Sequence, residues 1–496
     1  MSRLVQGPCV LTLDIGTSSV RAILFDAAAQ VIPGLIEQRS TQPDTTPDGG
    51  VVFDADVLSA TVGEVLDAVL VKIDAWGLKV AAVAVDTLVG NILGVDEAGR
   101  AVTPVYTYAD TRNAADAQAW REELGTSGAA AAHDRTGCLI HTSYLPARFR
   151  WLARTEPELF ARSAHWVSIG EYLYHRLFGQ WRVSYSVASW SGLLNRRELE
   201  WDREWLAQLP VESEQLSPLG DLANPCCGLV GEWAARWPLL AEIPWLLPVG
   251  DGAAANIGSG CDGPDRIALT MGTTGAMRVV VDPGLARVPD GLWLYRVDRP
   301  RALLGGATTE GGNLFAWLRT LLQLPGGDAL EHALQGRMSA AHGLTMLPFV
   351  AGERAPGWRE DARAVIAGLS LHTQPLDVVQ AGLEAIAYRF AIIYGRIAPY
   401  VAPDQPIVAG GGGLLSSPAW LQIMADAIGR PLQALQEREG TSRGLALLAL
   451  EYLGVIERPS VLPPALGATY EPDPQRHAVH CEAMARQIEL YHRVLD

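Results

Sequence analysis

Two short turns contain the residues of this sequence best suited to chemistry. The first lies in LTLDIGTSSVRAILFD, residues 11–26, where an apolar strand ends on Asp14 and a glycine with two hydroxyl residues follows at 16–18. The second lies in IALTMGTTGAMRVVVD, residues 267–282, with the same pattern at 272–274. Such turns leave backbone N–H groups and hydroxyls free to bind phosphate oxygens. One copy is typical of an ordinary hairpin, but the repeat favours two turns that hold a polyphosphate from both sides.

Two acids accompany these turns. Asp14 stands just before the first turn, and its carboxylate predicts a magnesium ligand, because Mg²⁺ prefers oxygen and keeps much of its water. Asp251, in PVGDGAAANIGSG at residues 248–260, begins a run of small residues with helical character. It is suited to accept the proton of an attacking hydroxyl in phosphoryl transfer, and its ordinary interpretation is a helix N-cap. No G-x-x-x-x-G-K-[ST] segment occurs, which excludes a P-loop as the phosphate site.

A third glycine cluster, VAGGGGLL at residues 408–415, ends a predicted strand. The segment SSPAWLQIMADAIGRPL follows it and predicts a capped helix. Glycines at such a turn allow the backbone to approach a flat ring, for instance adenine.

Length, charge and cysteine spacing limit the remaining possibilities. A chain of 496 residues is too long for one ordinary core, so at least two domains are expected. The net charge of −16 argues against nucleic-acid binding, because no basic stripe is available to neutralise phosphates. The sequence has no bilayer-spanning apolar run and no signal-peptide pattern, which predicts a cytoplasmic protein without a membrane partner. Six cysteines without paired spacing predict free thiols and argue against a structural metal site.

Strand patterns that alternate with helical patterns predict an α/β fold. Strands are predicted at residues 10–15, 20–25, 80–86 and 92–95, and a helix at 54–76 with Asp54 or Asp56 as its cap. Because the turn motif recurs about half a chain later, we expect two related domains that face one another. The proline-marked EIPWLLPV, residues 242–249, separates them. We therefore place an N-terminal domain at residues 1–247 and a C-terminal domain at 248–496.

The ordered set of motifs resembles the FGGY family of carbohydrate kinases, in the superfamily of actin-like proteins, sugar kinases and heat-shock ATPases. The matching segments span nearly the whole chain: LDIGTSSVRAILFD, TYADTR (107–112), GDGAAANIGSG, ALTMGTTGAMR, GGATTEGGNLFAWLR (305–319), LPFVAGERAPGW (347–358) and AGGGGLLSSPAWLQIMADAIGRPL. The resemblance implies two actin-like (ribonuclease H-like) ATPase domains of α/β class with a nucleotide and sugar cleft between them. Within the family, DRTGCLIH (134–141) and residues 169–195 are most similar to gluconokinase segments.

The resemblance also implies roles for individual residues, with ATP and Mg²⁺ as cofactors. Asp251 would be the catalytic base, and Asp14 would organise Mg²⁺ and the transferring phosphoryl group. Asp110 and Arg112 would face the sugar. A homodimer is the assembly that the family suggests. The residues implied to contact the nucleotide are Gly16, Thr17, Ser18, Gly272, Thr273, Thr274, Gly312, Gly412, Gly413 and Ser417.

One loop departs from the family pattern. Xylulose kinases and gluconokinases usually carry a Met-His pair in a sugar-contacting loop, whereas VAVDTLVGNILGVD, residues 83–96, has Val89 and Gly90 in its place. The sugar must therefore be held differently there, and the candidates are Asp86, Thr87 and Asn91. Kinase activity is not put in doubt, because the catalytic set is retained.

An acid substrate would need a strong donor for its carboxylate. Arg112, Arg278 and His141 are candidates, and each has an ordinary interpretation as part of a salt bridge. Glu310, in GGATTEGG, is expected to face the cleft. A carboxylate there would suit polyol hydroxyls and would repel an acid.

The sequence therefore predicts an ATP-dependent kinase that phosphorylates a small sugar or sugar acid. D-Gluconate, giving 6-phosphogluconate, is the first candidate substrate, and xylulose, another pentulose or a polyol is the alternative. Outside enzymes, a sugar-binding pseudokinase regulator remains open, supported only by the absent Met-His pair. An ATPase whose closure drives a partner has less support, because no separate peptide-binding domain is evident.

Overall fold

The computed structural model describes residues 7–495 and has two main sheets, one in each half of the chain. The strands of the first half are β1 (Cys9–Ile15), β2 (Ser19–Phe25), β3 (Val31–Ser40), β4 (Asp44–Thr45), β5 (Val51–Phe53), β6 (Val80–Thr87), β7 (Leu93–Val95), β8 (Val105–Tyr106), β9 (His165–Val167), β10 (Val183–Ser184), β11 (Leu194–Asn195), β12 (Glu200–Trp201), β13 (Leu219–Gly220) and β14 (Val249–Gly250). Its helices are α1 (Ala55–Ala75), α2 (Ala114–Thr136), α3 (Leu145–Thr155), α4 (Pro157–Arg162), α5 (Ile169–Phe178), α6 (Tyr185–Trp190), α7 (Arg203–Leu206) and α8 (Glu232–Arg236).

The second half begins with a helix that starts directly after β14. Its helices are α9 (Asp251–Gly258), α10 (Gly312–Leu321), α11 (Gly327–Gln335), α12 (Pro375–Ile397), α13 (Gly412–Leu415), α14 (Pro418–Ile428), α15 (Gly440–Tyr452) and α16 (Pro474–Leu495). Its strands are β15 (Ile267–Met271), β16 (Gly275–Val281), β17 (Trp293–Arg296), β18 (Ala302–Thr308), β19 (Thr345–Leu347), β20 (Val365–Ala367), β21 (Ile407–Gly410), β22 (Leu432–Leu435) and β23 (Leu466–Tyr470).

The two sheets share a local arrangement around the two turn motifs. The first sheet has the order β14-β6-β1-β2-β3, in which β1 is antiparallel to β2 and parallel to β6. The second has the order β17-β18-β16-β15-β21-β22-β23, in which β15 is antiparallel to β16 and parallel to β21. Each motif is therefore a hairpin whose first strand has a parallel neighbour. Nearly continuous apolar runs form these hairpins, and β1, β2, β15 and β16 are almost wholly buried on both faces.

Helices α9 and α15 connect the two halves. Helix α15 packs against α9 and also contacts β1 and β6 of the first sheet. The helices approach so closely that a Cβ on Gly444 would lie 1.9 Å from the carbonyl oxygen of Ala254. A glycine is therefore required there, and the contact holds the cleft edges of the two sheets in a defined relation.

Most local predictions are confirmed. The four predicted strands correspond to β1, β2, β6 and β7, and the predicted helix corresponds to α1. Asp54 is its N-cap and accepts hydrogen bonds from the backbone N–H groups of Asp56 and Val57, both at 2.9 Å. All six cysteines are free thiols. Helices of the described chain fall short of the length and apolarity that crossing a membrane requires.

The boundary between residues 247 and 248 stays a prediction. Strand β14 follows that point and pairs with β6 of the first sheet, with Val249 opposite Asp86 and Gly250 opposite Thr87. Helix α9 then continues directly from β14. The chain thus passes from the first sheet to the second half through the residues that lead into Asp251.

Candidate functional site

A cavity of about 420 Å³ brings residues of the two halves together. Thr17 of the first turn, the second turn at 272–274 and Asp251 all line it. A larger open cavity of about 780 Å³, around Trp181 and Trp201, is lined by none of the predicted site residues. The smaller cavity is therefore the candidate active site.

Three carboxyl groups lie at the ends of adjacent parallel strands beside this cavity. Asp14 on β1 is the register partner of Asp86 on β6, and Asp251 follows β14, the next strand. Asp86 is fully buried, and in the described chain it has no hydrogen-bond partner other than the Asp14 carboxyl. Burial, together with the charges of Asp14 and Asp251, raises the pKa of Asp86 well above its usual range.

The Asp14 carboxyl is only partly buried and is the most accessible member of the strand pair. Burial raises the pKa of Asp14 to about 6, and the charge of Asp251 acts in the same direction, whereas Asp86 and Arg21 lower it. At neutral pH Asp14 is therefore mostly ionised.

Asp251 is the first residue of α9, and Gly250, not Asp251, occupies the N-cap position. Its Oδ1 accepts a hydrogen bond of 2.6 Å from the backbone N–H of Gly252. Burial raises the pKa of Asp251, and the guanidinium groups of Arg278 and Arg354 oppose that rise. A carboxyl with a raised pKa that still faces a cavity suits a general base.

The first turn is a tight hairpin held by its neighbours. The backbone N–H of Gly16 donates to the carbonyl oxygen of Ser19 at 3.0 Å, and that of Thr41 donates to the carbonyl of Ser18 at 3.0 Å. Ser18 is exposed, and Thr17 lines the cavity. The turn therefore offers its hydroxyls to a ligand while its backbone carbonyls are occupied.

The second turn is supported by glycine backbone from two directions. The N–H of Gly272 donates to the carbonyl of Thr274 at 2.9 Å, and the N–H of Gly312, at the start of α10, donates to the carbonyl of Gly272 at 2.8 Å. A Cβ on Gly413 would lie 3.0 Å from that same carbonyl oxygen. Gly412 precedes Gly413 in α13, and a Cβ there would point into open space. The structure thus brings three of the predicted nucleotide-binding segments into contact: the turn at 272–274, Gly312 and the glycines at 412–413.

Ser417 has a structural position. It is the N-cap of α14, where its hydroxyl accepts a hydrogen bond of 3.2 Å from the N–H of Trp420 and donates one of 2.7 Å to Glu331. It does not line the cavity. The hydroxyl is therefore already engaged on both sides.

Asp110 and Arg112 pair with each other. The guanidinium of Arg112 lies 2.6 Å from the Asp110 carboxylate and 4.9 Å from the ring centre of Trp151. Asp110 is fully buried and also lies 3.5 Å from the buried Arg148. Neither member of the predicted pair lines the cavity. Their observed contacts stabilise the loop after β8.

Three further predicted substrate residues also lie away from the cavity lining. The Asn91 side chain accepts a hydrogen bond from the N–H of Ile169 at 2.8 Å and donates one to the carbonyl of Leu88 at 2.5 Å. Thr87 is fully buried, and its hydroxyl has no partner among residues 7–495. His141 is buried 5.0 Å from the ring of Trp358, and burial lowers its pKa to about 4. His141 is therefore neutral at physiological pH and supplies no positive charge.

Glu310 is buried, and its Oε1 has no hydrogen-bond partner in the described part of the chain. Burial raises the pKa of Glu310 to about 8. The side chain is therefore mostly protonated at pH 7. The repulsion of an acid substrate, expected from the sequence, does not apply to a neutral carboxyl group.

Most of the cavity wall was not predicted from the sequence. Tyr108, Tyr144, Trp190, Trp293 and Tyr295 all line the cavity. They come from four separate segments of the chain, and an aromatic side chain in the interior usually has a packing role. Of the three candidate donors named from the sequence, Arg278 lines the cavity, and it is the charged residue of the otherwise apolar strand GAMRVVV.

The donor set suits Mg²⁺ bound mainly through phosphate and water. Within residues 7–495, no group of three His, Cys, Asp or Glu side chains has the arrangement that holds a metal ion by itself. Mg²⁺ commonly needs only one or two carboxylates, because it keeps several waters and binds substrate phosphates. The ionised, partly accessible Asp14 beside the first turn fits that requirement.

Comparison with known proteins gives consistent results over the whole chain. Residues 9–258 match the N-terminal domain and residues 267–451 the C-terminal domain of the FGGY family of carbohydrate kinases. A gluconokinase of Bacillus subtilis (strain 168) is 25% identical over 483 residues, covering 94% of this chain and 91% of that protein. A glycerol kinase of Rhodospirillum centenum is 28% identical over 460 residues, covering 90% and 89%. A crystal structure of gluconate kinase from Lactobacillus acidophilus has the same fold, with a TM-score of 0.90, 24% identity and 98% of each chain covered.

Proposed function

We propose that this chain, which belongs to the FGGY family of carbohydrate kinases, transfers the terminal phosphoryl group of ATP to a hydroxyl of a small sugar or sugar acid. The predicted family and two-domain α/β fold are confirmed, and the chain is a sugar kinase. D-Gluconate is the first candidate substrate, since gluconokinases are among the relatives. A pentulose or polyol is the second candidate, since glycerol kinases are relatives of similar identity.

One observation carries the proposal. Asp251, Thr17 and the turn at 272–274 line a single cavity although they belong to three separate segments. A base and two sets of phosphate-binding groups that face the same cavity are the parts that phosphoryl transfer needs. The transition state is loose, so the contribution of such a site is mainly positioning and charge stabilisation.

The residues act as follows in this proposal. Asp251 accepts the proton of the attacking hydroxyl, and its raised pKa matches that role better than an ordinary carboxylate does. Asp14 orients the phosphate end of the nucleotide and holds Mg²⁺, whose charge neutralises phosphate oxygens when it is bound. Thr17 and Ser18 donate to phosphate oxygens from the first half. The backbone at 272–274, supported by Gly312 and Gly413, does so from the second.

ADP release with Mg-ATP tests this proposal across sugar acids, ketoses and polyols. We expect turnover on at least one compound, and a fall of roughly 10²–10⁴-fold in kcat for Asp251→Asn. Asp404→Asn is the matched control, because Asp404 is fully exposed. Full activity of Asp251→Asn would remove the assigned base. Binding of ATP and a sugar without any turnover would instead support the pseudokinase regulator.

A further inference from the structure

The buried side-chain atoms of the candidate cavity that have no hydrogen-bond partner in the described chain are all donors. Arg278, on β16, has its Nε and Nη1 buried with no hydrogen-bond partner among the described residues. The Nε of Arg354 and the indole Nε1 of both Trp190 and Trp293 are likewise buried and unpartnered there. All four side chains line the cavity, and Asp251 is the one carboxylate that does so in the described chain. Two cations therefore face one anion.

Other buried arginines in the same molecule are used differently. Arg148 donates to the backbone carbonyls of Thr107, Asp110 and Thr142. Arg443 donates to the carbonyl of Gly258 at 2.9 Å and to a second carbonyl in the loop after α15. These guanidinium groups connect segments of the fold, whereas that of Arg278 makes no hydrogen bond or ion pair with residues 7–495. Burying a charged donor without a partner destabilises a fold, so a ligand is the natural partner of Arg278.

The position of Arg278 relative to Asp251 suits a ligand that contacts both. Its Nη2 lies 3.3 Å from the point that a Cβ on Gly252, the residue after Asp251, would occupy. Arg278 and Asp251 influence each other electrostatically but do not form a salt bridge in the described structure. Burial lowers the pKa of Arg278 to about 10, so the side chain remains charged at neutral pH.

Aromatic rings form the wall beside this guanidinium. The ring of Tyr295 stacks on Trp190 at 3.9 Å and on Trp293 at 4.3 Å. The hydroxyl groups of Tyr295 and Tyr144 are 2.5 Å apart, which fixes the wall to the loop before α3. A rigid aromatic wall suits the C–H surface of a carbohydrate chain. The aromatic wall carries no charge, so a charged group of the ligand would be bound by Arg278 and Arg354.

We propose that Arg278, assisted by Arg354, binds the carboxylate of the substrate, and that the substrate class is therefore the sugar acids. This inference rests on the proposed kinase function and names the residues that select among its candidate substrates. A planar guanidinium matches a carboxylate through two parallel hydrogen bonds. The acid end of an aldonate then lies against β16, while a hydroxyl of the same chain reaches Asp251.

Matched acid and alcohol pairs test the assignment. The pairs are gluconate with glucitol, xylonate with xylitol, and glycerate with glycerol, and each pair differs only in the carboxylate. We expect the wild-type protein to prefer one acid, and Arg278→Met to reduce its preference over the matched alcohol by roughly 100-fold. Arg278→Lys keeps the charge but loses the planar pair of donors, so an intermediate preference is expected. Arg287→Met is the control, because Arg287 is an exposed arginine on the loop after β16.

The ratio of kcat/KM for acid and alcohol is the readout, because Arg278 also lowers the pKa of Asp251 and its loss alters both rates. An equal loss on both members of a pair would assign Arg278 to the phosphoryl group or the fold and overturn the inference. A wild-type preference for the alcohols would overturn it too, and the kinase would still stand. Thermal unfolding and ATP binding of each variant verify that it is folded.

The inference is separable from the proposed function. If no compound is phosphorylated, calorimetric binding of gluconate and glucitol to the ATP-free protein replaces the rate measurement. Tighter binding of gluconate that is lost in Arg278→Met would uphold the carboxylate site in a protein without this kinase activity. Equal or absent binding of both compounds would overturn it.

Discussion

Two residues before its glycine, the first turn has Asp14 and the second turn has Thr270. The strands around these two residues are arranged alike. The residues paired with Asp14 and Thr270 on the neighbouring strands differ, as do Asp14 and Thr270 themselves, in being charged or neutral. Asp14 has Arg21 and Asp86 as register partners, whereas Thr270 has Ala276 and Gly410. One backbone arrangement thus carries ionisable groups in the first half and small neutral groups in the second.

The contrast shows how a repeated motif is divided between tasks. In the first half, buried carboxyl groups set the charge beside the cavity. In the second half, glycine backbone packs tightly behind the turn and leaves the space above it open. If the proposed function is correct, the carboxylate beside the first turn sets the charge around the phosphates, and the second turn provides the space for the nucleotide. Three changes test that division.

The largest effect is expected from exchanging the distinguishing residue. Asp14→Thr gives the first turn the side chain of the second, and we expect kcat to fall by about 10³-fold because the carboxylate that orients the phosphate end is lost. Thr270→Val is the counterpart in the second half, with an expected loss below about 10-fold. Steady-state kinetics with saturating substrate measure both. Equal losses would show that the two turns contribute equally.

A smaller effect is expected from disturbing the backbone behind the second turn. Gly411 has φ of 88°, and a Cβ there would lie 2.3 Å from the carbonyl oxygen of Met271. Gly411→Ala should lower the free energy of unfolding by about 1–3 kcal/mol and raise the KM for ATP.

Gly454→Ala is the control that separates backbone strain at a positive φ from a clash with the second turn. Gly454 also has positive φ, 69°, but a Cβ there would meet open space. We expect this control to lose stability without changing the KM for ATP. A similar KM in both variants would mean that the second turn does not need the support of Gly411. Denaturant unfolding provides the stability values.

The smallest effect concerns the buried carboxyl groups of the two halves. The pKa of Glu310 is about 8 in the folded protein against an ordinary 4.5, so the folded state binds the proton more tightly. This contribution to stability is greatest below pH 4.5, declines as pH rises and is gone above about 8.

Glu310→Gln removes this titrating group, so the free energy of unfolding should fall less steeply with rising pH. The change in slope is at most about 1.4 kcal/mol per pH unit. Asp14 should show the same sign, with its decline complete near pH 6. Denaturant unfolding between about pH 4 and 9 measures both slopes. If the free energy of unfolding of Glu310→Gln changes with pH as steeply as that of the wild type, the Glu310 carboxyl is not the source of the decline.

The sequence identified the two hairpins because their signal is local. A glycine and two hydroxyls between apolar strands depend on neighbouring residues only, and β1, β2, β15 and β16 form as that pattern predicts. Asp251 was recognisable for the same reason, since an acid before a run of small residues indicates a helix start. The family resemblance then supplied the order of these motifs.

Substrate-facing residues were less predictable. Asp110 and Arg112 have suitable chemistry, yet they satisfy each other two residues apart along the chain. Asn91 is likewise engaged with the backbone of Ile169, which is distant in sequence. Whether a polar side chain faces a cavity or a partner depends on packing, and one sequence does not report packing.

The sequence by itself determined the α/β class, the two turn motifs and the acids beside them, because these follow from short-range patterns of polarity and turn chemistry. Only the tertiary structure decided which side chains meet in the cavity. Trp190, Arg278 and Trp293 come together because α6 packs against β17, and β18 pairs with both β17 and β16. Tertiary structure also decided that Glu310 is mostly neutral, since burial raises its pKa to about 8, and burial raises the pKa of Asp86 well above its usual range in the same way.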